Sequence, residues 1–446
     1  MDERPLPSLP EPPAAPPALP RGWRIDALEP GDGDRDEPIS AERALATPVA
    51  ALTVEELAGP GSRVAIACGA ALNGSPDALI LPVLLDALAR AGVRAADIAL
   101  LLAGGDRPGL SAADRAALAG RVGGLVDVPA AARADFVSLG AVDGITVRLH
   151  HRAFEADLLL ATGGVLADEF AGYTGGADSV AVGCADPETR LALHSAAFLE
   201  QPATRSGNLT DNVYQRLLRE VARRAGLLLV VNALLHPADG TALLVLAGAP
   251  APTHDALARL AAARFSPQAP GDAYDVVVLA DAPDDRRTLY HASRDIAAAT
   301  LAPRAVLRPQ GVIIAQGGGD EDPAAVAFER ALTDATSAEM LLRQLRARGL
   351  APGEERAYRL AQSLAAGAHV VMWQPDAPGR DPWSATLARS LAEAAELAEA
   401  WVGHRPRALL VPQGAGLLPV AGFGARDPGD GDDADNPFGA WADGAL

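Results

Sequence analysis

From residue 64 to residue 248 the chain alternates short, almost wholly apolar runs with longer stretches of helical periodicity. VAIA (Val64–Ala67), IALLLAG (Ile98–Gly104), ADLLLAT (Ala156–Thr162), LLLVVNALL (Leu227–Leu235) and ALLVLAG (Ala242–Gly248) read as strands. Runs that lack polar alternation suit strands covered on both faces. LILPVLLDALARAG (Leu79–Gly92) has the apolar spacing of a packed helix and ends on glycine. Ser111, with Asp114 three residues on, predicts an N-cap for the helix in SAADRAALAG. A second series follows SPQAPGDAYD (Ser266–Asp275), with strands expected at Val276–Asp281, Gly311–Gln316, His369–Trp373 and Ala408–Gln413. Strands alternating with helices in this way predict an α/β fold, each domain built on a mostly parallel sheet flanked by helices.

The Pro/Gly segment at 266–273 marks the expected division, with an N-terminal domain over 39–265 and a C-terminal α/β domain over 274–420. In such sheets ligands sit beyond the carboxyl ends of the strands, so the expected active-site cleft lies between the domains. Residues 1–38 are rich in proline and are predicted to be a disordered tail. Asp427–Leu446 is acidic and glycine-rich, a second expected tail in which Phe438 and Trp441 are the residues able to dock.

Length and charge narrow the partners. A chain of 446 residues exceeds what one core serves, and 49% hydrophobic residues supply enough apolar surface for two. No apolar run approaches a membrane span, and the start of the chain lacks the layout of a signal peptide. Two cysteines, Cys68 and Cys184, far apart and without CxxC spacing, argue against a disulfide scaffold and favour a reducing cytoplasm. A net charge of −19 disfavours nucleic acid and anionic membranes as partners. All 38 basic residues are arginine; the chain contains no lysine.

The stretch Gly163–His194, GGVLADEFAGYTGGADSVAVGCADPETRLALH, and the helix LYHASR (Leu289–Arg294) resemble the nickel-dependent lactate racemase family, and the resemblance extends over roughly residues 39–420. In that family a nickel-pincer nucleotide is attached to a lysine, a histidine completes the nickel coordination, and two further histidines act as acid and base on a 2-hydroxy acid. The resemblance places the nickel-binding histidine at His194. The lysine of the SGGxK motif becomes Asp178 in TGGADS, which can form no thioamide link. The catalytic histidine of the GTHRP-like motif becomes Asp106 in GGDRP, and that of the PHxxAG motif becomes Asp168 in ADEFAG. A substrate-binding arginine aligns with Asn73. The tyrosine, glutamine and lysine of the substrate-binding helix fall on Tyr290, His291 and Arg294, where arginine keeps the charge and adds bidentate carboxylate recognition.

Two functions follow from the resemblance. One is a divergent racemase or epimerase of a 2-hydroxy acid or sugar acid, with a nickel-pincer nucleotide bound noncovalently or another divalent cation such as Mg²⁺ or Mn²⁺ in its place. Three clustered aspartates would repel one another unless a cation sat between them. An unperturbed Asp, with a pKa of ~3.9, is a poor base for an alcohol near neutrality, so Asp106 or Asp168 would need a raised pKa to move protons. The other is a catalytically inactive homologue that binds a small carboxylate. The residues alone leave both open, along with the oligomeric state.

Overall fold

The computed structural model describes residues 19–28, 40–69, 76–103, 110–237, 240–271, 273–280, 287–302, 305–318, 325–351, 353–375, 382–412 and 420–421. Two six-stranded sheets organise them. The first runs in the order Ala242–Gly248, Leu227–Leu235, Leu158–Val165, Val64–Cys68, Ile98–Leu102, Gly124–Asp127. Every neighbouring pair in it is parallel except the antiparallel edge strand Ala242–Gly248. The second, wholly parallel, runs Arg24–Ala27, Arg407–Pro412, Tyr274–Ala280, Leu307–Gln316, His369–Trp373, Thr386–Ala388.

The apolar runs form these strands because helices cover both faces. Ile66, Leu100, Leu160 and Leu229 point to one side of the first sheet and pack with Ile80, Leu84 and Leu88 of the helix Asp77–Arg90. Their neighbours Ala65, Leu101, Leu159 and Val230 point to the other side, into a core that continues to Val277, Ile313 and Leu409 of the second sheet. The two halves are therefore joined by one continuous apolar core, and burying it couples their stability. Val276, Val278 and Ile314 alternate outward against the helix Leu391–Val402.

Strand order reverses between Val64–Cys68 and Leu158–Val165, since the chain builds outward from these two strands in opposite directions. Such a reversal leaves a crevice at the carboxyl ends of the two strands. Ser111 caps the helix Ala112–Ala119, its Oγ accepting from the Asp114 amide at 3.1 Å.

One segment corrects an expectation. Arg24–Ala27, within the stretch read as a disordered tail, is an edge strand paired in parallel with Arg407–Leu410. Trp23 anchors it by donating from Nε1 to Glu399 at 2.7 Å, and Asp26 accepts from Tyr274 Oη at 2.8 Å and from Arg407 at 2.9 Å. Surrounding prolines hide a four-residue strand from any periodicity test. The acidic tail from Asp427 lies outside the described residues.

Candidate functional site

The strand Leu158–Val165 delivers the chain to the crevice and turns into a small hairpin, Ala167–Asp168 against Gly172–Tyr173. Asp168 sits in the turn, and its Oδ1 accepts the amides of Phe170 at 2.9 Å and Ala171 at 2.7 Å. Gly172 has φ +78°, and a Cβ there would lie 2.1 Å from the Asn208 carbonyl oxygen, so the closing position takes only glycine.

The loop after the hairpin is bound equally tightly. Thr174 Oγ1 donates to the Gly164 carbonyl at 2.8 Å and accepts the Leu166 amide at 3.0 Å. Gly175 donates to Asp178 Oδ2 at 2.9 Å. Gly176 donates to Asn232 Oδ1 at 3.0 Å, and Asn232 Nδ2 donates to the Gly163 carbonyl at 3.1 Å. Buried His254 completes the frame, with Nδ1 at 3.2 Å from Arg219 Nη2 and Nε2 at 3.0 Å from the Thr174 carbonyl. Arginine only donates, so Nδ1 accepts and Nε2–H donates to the carbonyl, which defines a neutral tautomer. Burial, reinforced by the Arg219 charge, pulls its pKa down to about 4.

His194 closes the helix Pro187–Leu193, its Nδ1 2.9 Å from the Arg190 carbonyl. Nδ1 therefore carries the proton and Nε2 the lone pair that a metal would take. The ring meets Phe170 edge-on at 5.2 Å, which sets His194 beside the Asp168 turn. From the second half, Arg359 reaches into this region and is only 7% exposed. It donates to the carbonyls of Glu169 at 3.1 Å, Leu199 at 2.9 Å and Thr204 at 2.6 Å.

The helix Leu289–Leu301 starts at Thr288, whose hydroxyl accepts the His291 amide at 3.3 Å. Tyr290 is buried in the second half's own core, its ring 5.5 Å from Phe328 and 4.2 Å from the Arg356 guanidinium. His291 is half-buried with its ring edge against Tyr290. Arg294 lines a small pocket with Leu166, Ala167, Tyr173, Phe265 and Ser266. Asn73 and Asp106 lie outside the described residues. Asn232, His254, Arg219 and Arg359 were not anticipated from sequence; a lone asparagine inside the apolar run LLLVVNALL was the available signal for the first.

A covalently held nickel-pincer nucleotide does not fit this loop. The resemblance puts its lysine at Asp178, whose carboxylate closes the turn on the Gly175 amide, and the chain contains no lysine. His194 keeps the tautomer of a metal ligand. Among the described residues no three His, Cys, Asp or Glu side chains are grouped to hold a metal ion.

Comparison with known proteins agrees with this layout. Residues 18–207 match the lactate racemase N-terminal domain. The lactate racemase of Thermoanaerobacterium thermosaccharolyticum is 28% identical over 201 residues, 44% of this chain and 46% of that protein. The lactate racemase of Lactiplantibacillus plantarum is 40% identical over 83 residues, 19% of this chain and 20% of that protein. The aligned stretches thus span less than half the length of either relative. The solved lactate racemase apoprotein from T. thermosaccharolyticum superposes with a TM-score of 0.68 at 21% identity, covering 90% of this chain and 96% of that one. A Thermotoga maritima protein superposes with a TM-score of 0.58 at 13% identity, covering 87% of this chain and 100% of that one.

Proposed function

The chain belongs to the lactate racemase family, and from that premise we propose that it binds a short-chain 2-hydroxy acid or related carboxylate at Arg294 without a covalently held cofactor. The observation that carries this is the use to which two aspartates are put. Asp168 and Asp178, at the positions of a catalytic histidine and of the cofactor lysine, each accept backbone amides of their own turns. Arg294, set beside Leu166, Ala167 and Phe265, supplies the fixed positive charge that a carboxylate needs.

A second reading, an isomerase using a noncovalently held nickel cofactor or another divalent cation, is favoured by the His194 tautomer. In it, Asp168 would have to exchange protons with the substrate while holding its turn.

The test is calorimetric titration of the full chain with lactate, propionate and larger 2-hydroxy acids. The acids bind the native protein, and Arg294→Met weakens them roughly ten- to hundredfold, the worth of a charge-assisted contact. Equal affinity in the variant would remove Arg294 from the site and the proposal with it.

A further inference from the structure

The helix Ala196–Leu199 follows His194 directly, and beyond it residues 199–208 form only turns and bends, with no strand or helix of their own. The second half grips this segment at three points. Glu200 accepts from Arg346 Nε and from Tyr358 Oη, which stand on the helices Ala338–Arg348 and Glu354–Ala365. Arg359, from the second of these helices, donates to the Leu199 carbonyl at 2.9 Å and the Thr204 carbonyl at 2.6 Å, on either side of Glu200.

The far end of the same segment is fastened to the Asp168 hairpin. Gly207 donates its amide to the Gly172 carbonyl at 2.8 Å. The Asn208 carbonyl accepts from Asn212 Nδ2 at 3.0 Å, and that same nitrogen donates to the Phe170 carbonyl at 2.9 Å. An unbroken chain of hydrogen bonds therefore leads from two helices of the second half, through residues 199–208, to the turn that holds Asp168. Parting the halves would strip Arg359 from two carbonyls and both donors from Glu200 together, and the segment has no ladder of its own to replace them.

We propose that residues 199–208 are a strap that makes the order of the Asp168 turn depend on how the second half is docked, with Glu200 as its point of release. Arg359 is 7% exposed, whereas the side chains of Glu200 and Arg346 are partly exposed at the rim, where water competes for them. The Glu200 contact therefore yields first. Its bond from Tyr358, aided by Arg346, holds the Glu200 carboxyl below its ordinary range, so the grip keeps its charge through neutral pH. A ligand that shifts the docking of the halves acts on the Asp168 turn without touching it.

The test is hydrogen exchange of the full chain, read by mass spectrometry over residues 166–175, 199–212 and, as a control in the far layer, 77–102. Glu200→Ala should speed exchange about tenfold in both 166–175 and 199–212 and leave 77–102 unchanged. Glu200→Gln, which keeps an acceptor oxygen, should restore most of the protection, and Tyr358→Phe should act in the direction of Glu200→Ala but more weakly. Speeding confined to 199–212 would make the contact a local brace and overturn the inference. Equal speeding over all the segments, or protection of 166–175 that ignores every variant, would overturn it as well.

Discussion

Asp168 and Tyr173 stand on the two strands of one small hairpin, and their surroundings treat them oppositely. Asp168 accepts two amides within its own turn, whereas the Tyr173 hydroxyl is buried beside Ser266. The residue that family resemblance points to for proton transfer is used to build the loop. Tyr173, which no motif singled out, is packed away from water beside it. Position in a motif reports where a site lies; hydrogen-bond bookkeeping reports which of its groups remain available for a ligand.

The contrast requires that the hairpin be held rigidly, and the largest expected effect follows from that. Arg359→Met strips a buried cation from the Glu169, Leu199 and Thr204 carbonyls and should cost about 3–5 kcal/mol in urea unfolding. A cost below about 1 kcal/mol would show that the second half does not hold the Asp168 turn.

His254 braces the loop as a neutral ring and makes its stability depend on pH. Its pKa is about 4 in the fold, against ~6.5 when unfolded. The unfolded chain therefore binds the proton more readily, so stability is fully present above pH ~6.5 and is lost as pH falls toward 4, by roughly 3 kcal/mol. Unfolding measured across this window should lose that slope in His254→Gln. A slope that persists would assign it to other groups.

A smaller effect separates the two hairpin residues directly. Asp168→Ala leaves two turn amides without their acceptor and should cost about 1–2 kcal/mol, whereas Asp168→Asn keeps an acceptor oxygen and should be near neutral. Equal losses in the two variants, measured by denaturation, would mean that the charge rather than the turn matters. Tyr173→Phe, which leaves the turn amides untouched, should change stability less.

Much of the fold was legible because parallel strands covered on both faces are unbroken apolar runs, as at Leu227–Leu235 and Val276–Ala280. Arg24–Ala27 was not, since four residues among prolines give no period to read. The spacing of Asp168, Asp178 and His194 carried the family resemblance, but the use of the two aspartates was not legible in it. A carboxylate that caps a turn and one that moves a proton are the same letter, and only the amides around it distinguish them. Asn232 could have been noticed as the single polar residue of its strand; His254, on an ordinary helix, could not.

The most direct measurement follows both binding and interconversion of D- and L-lactate by native protein purified from its own host and by Asp168→Asn. Binding unchanged by the substitution, with no interconversion in either protein, is the expected result. Interconversion by the native protein that vanishes in Asp168→Asn would contradict it and make Asp168 an acid–base residue despite its place in the turn.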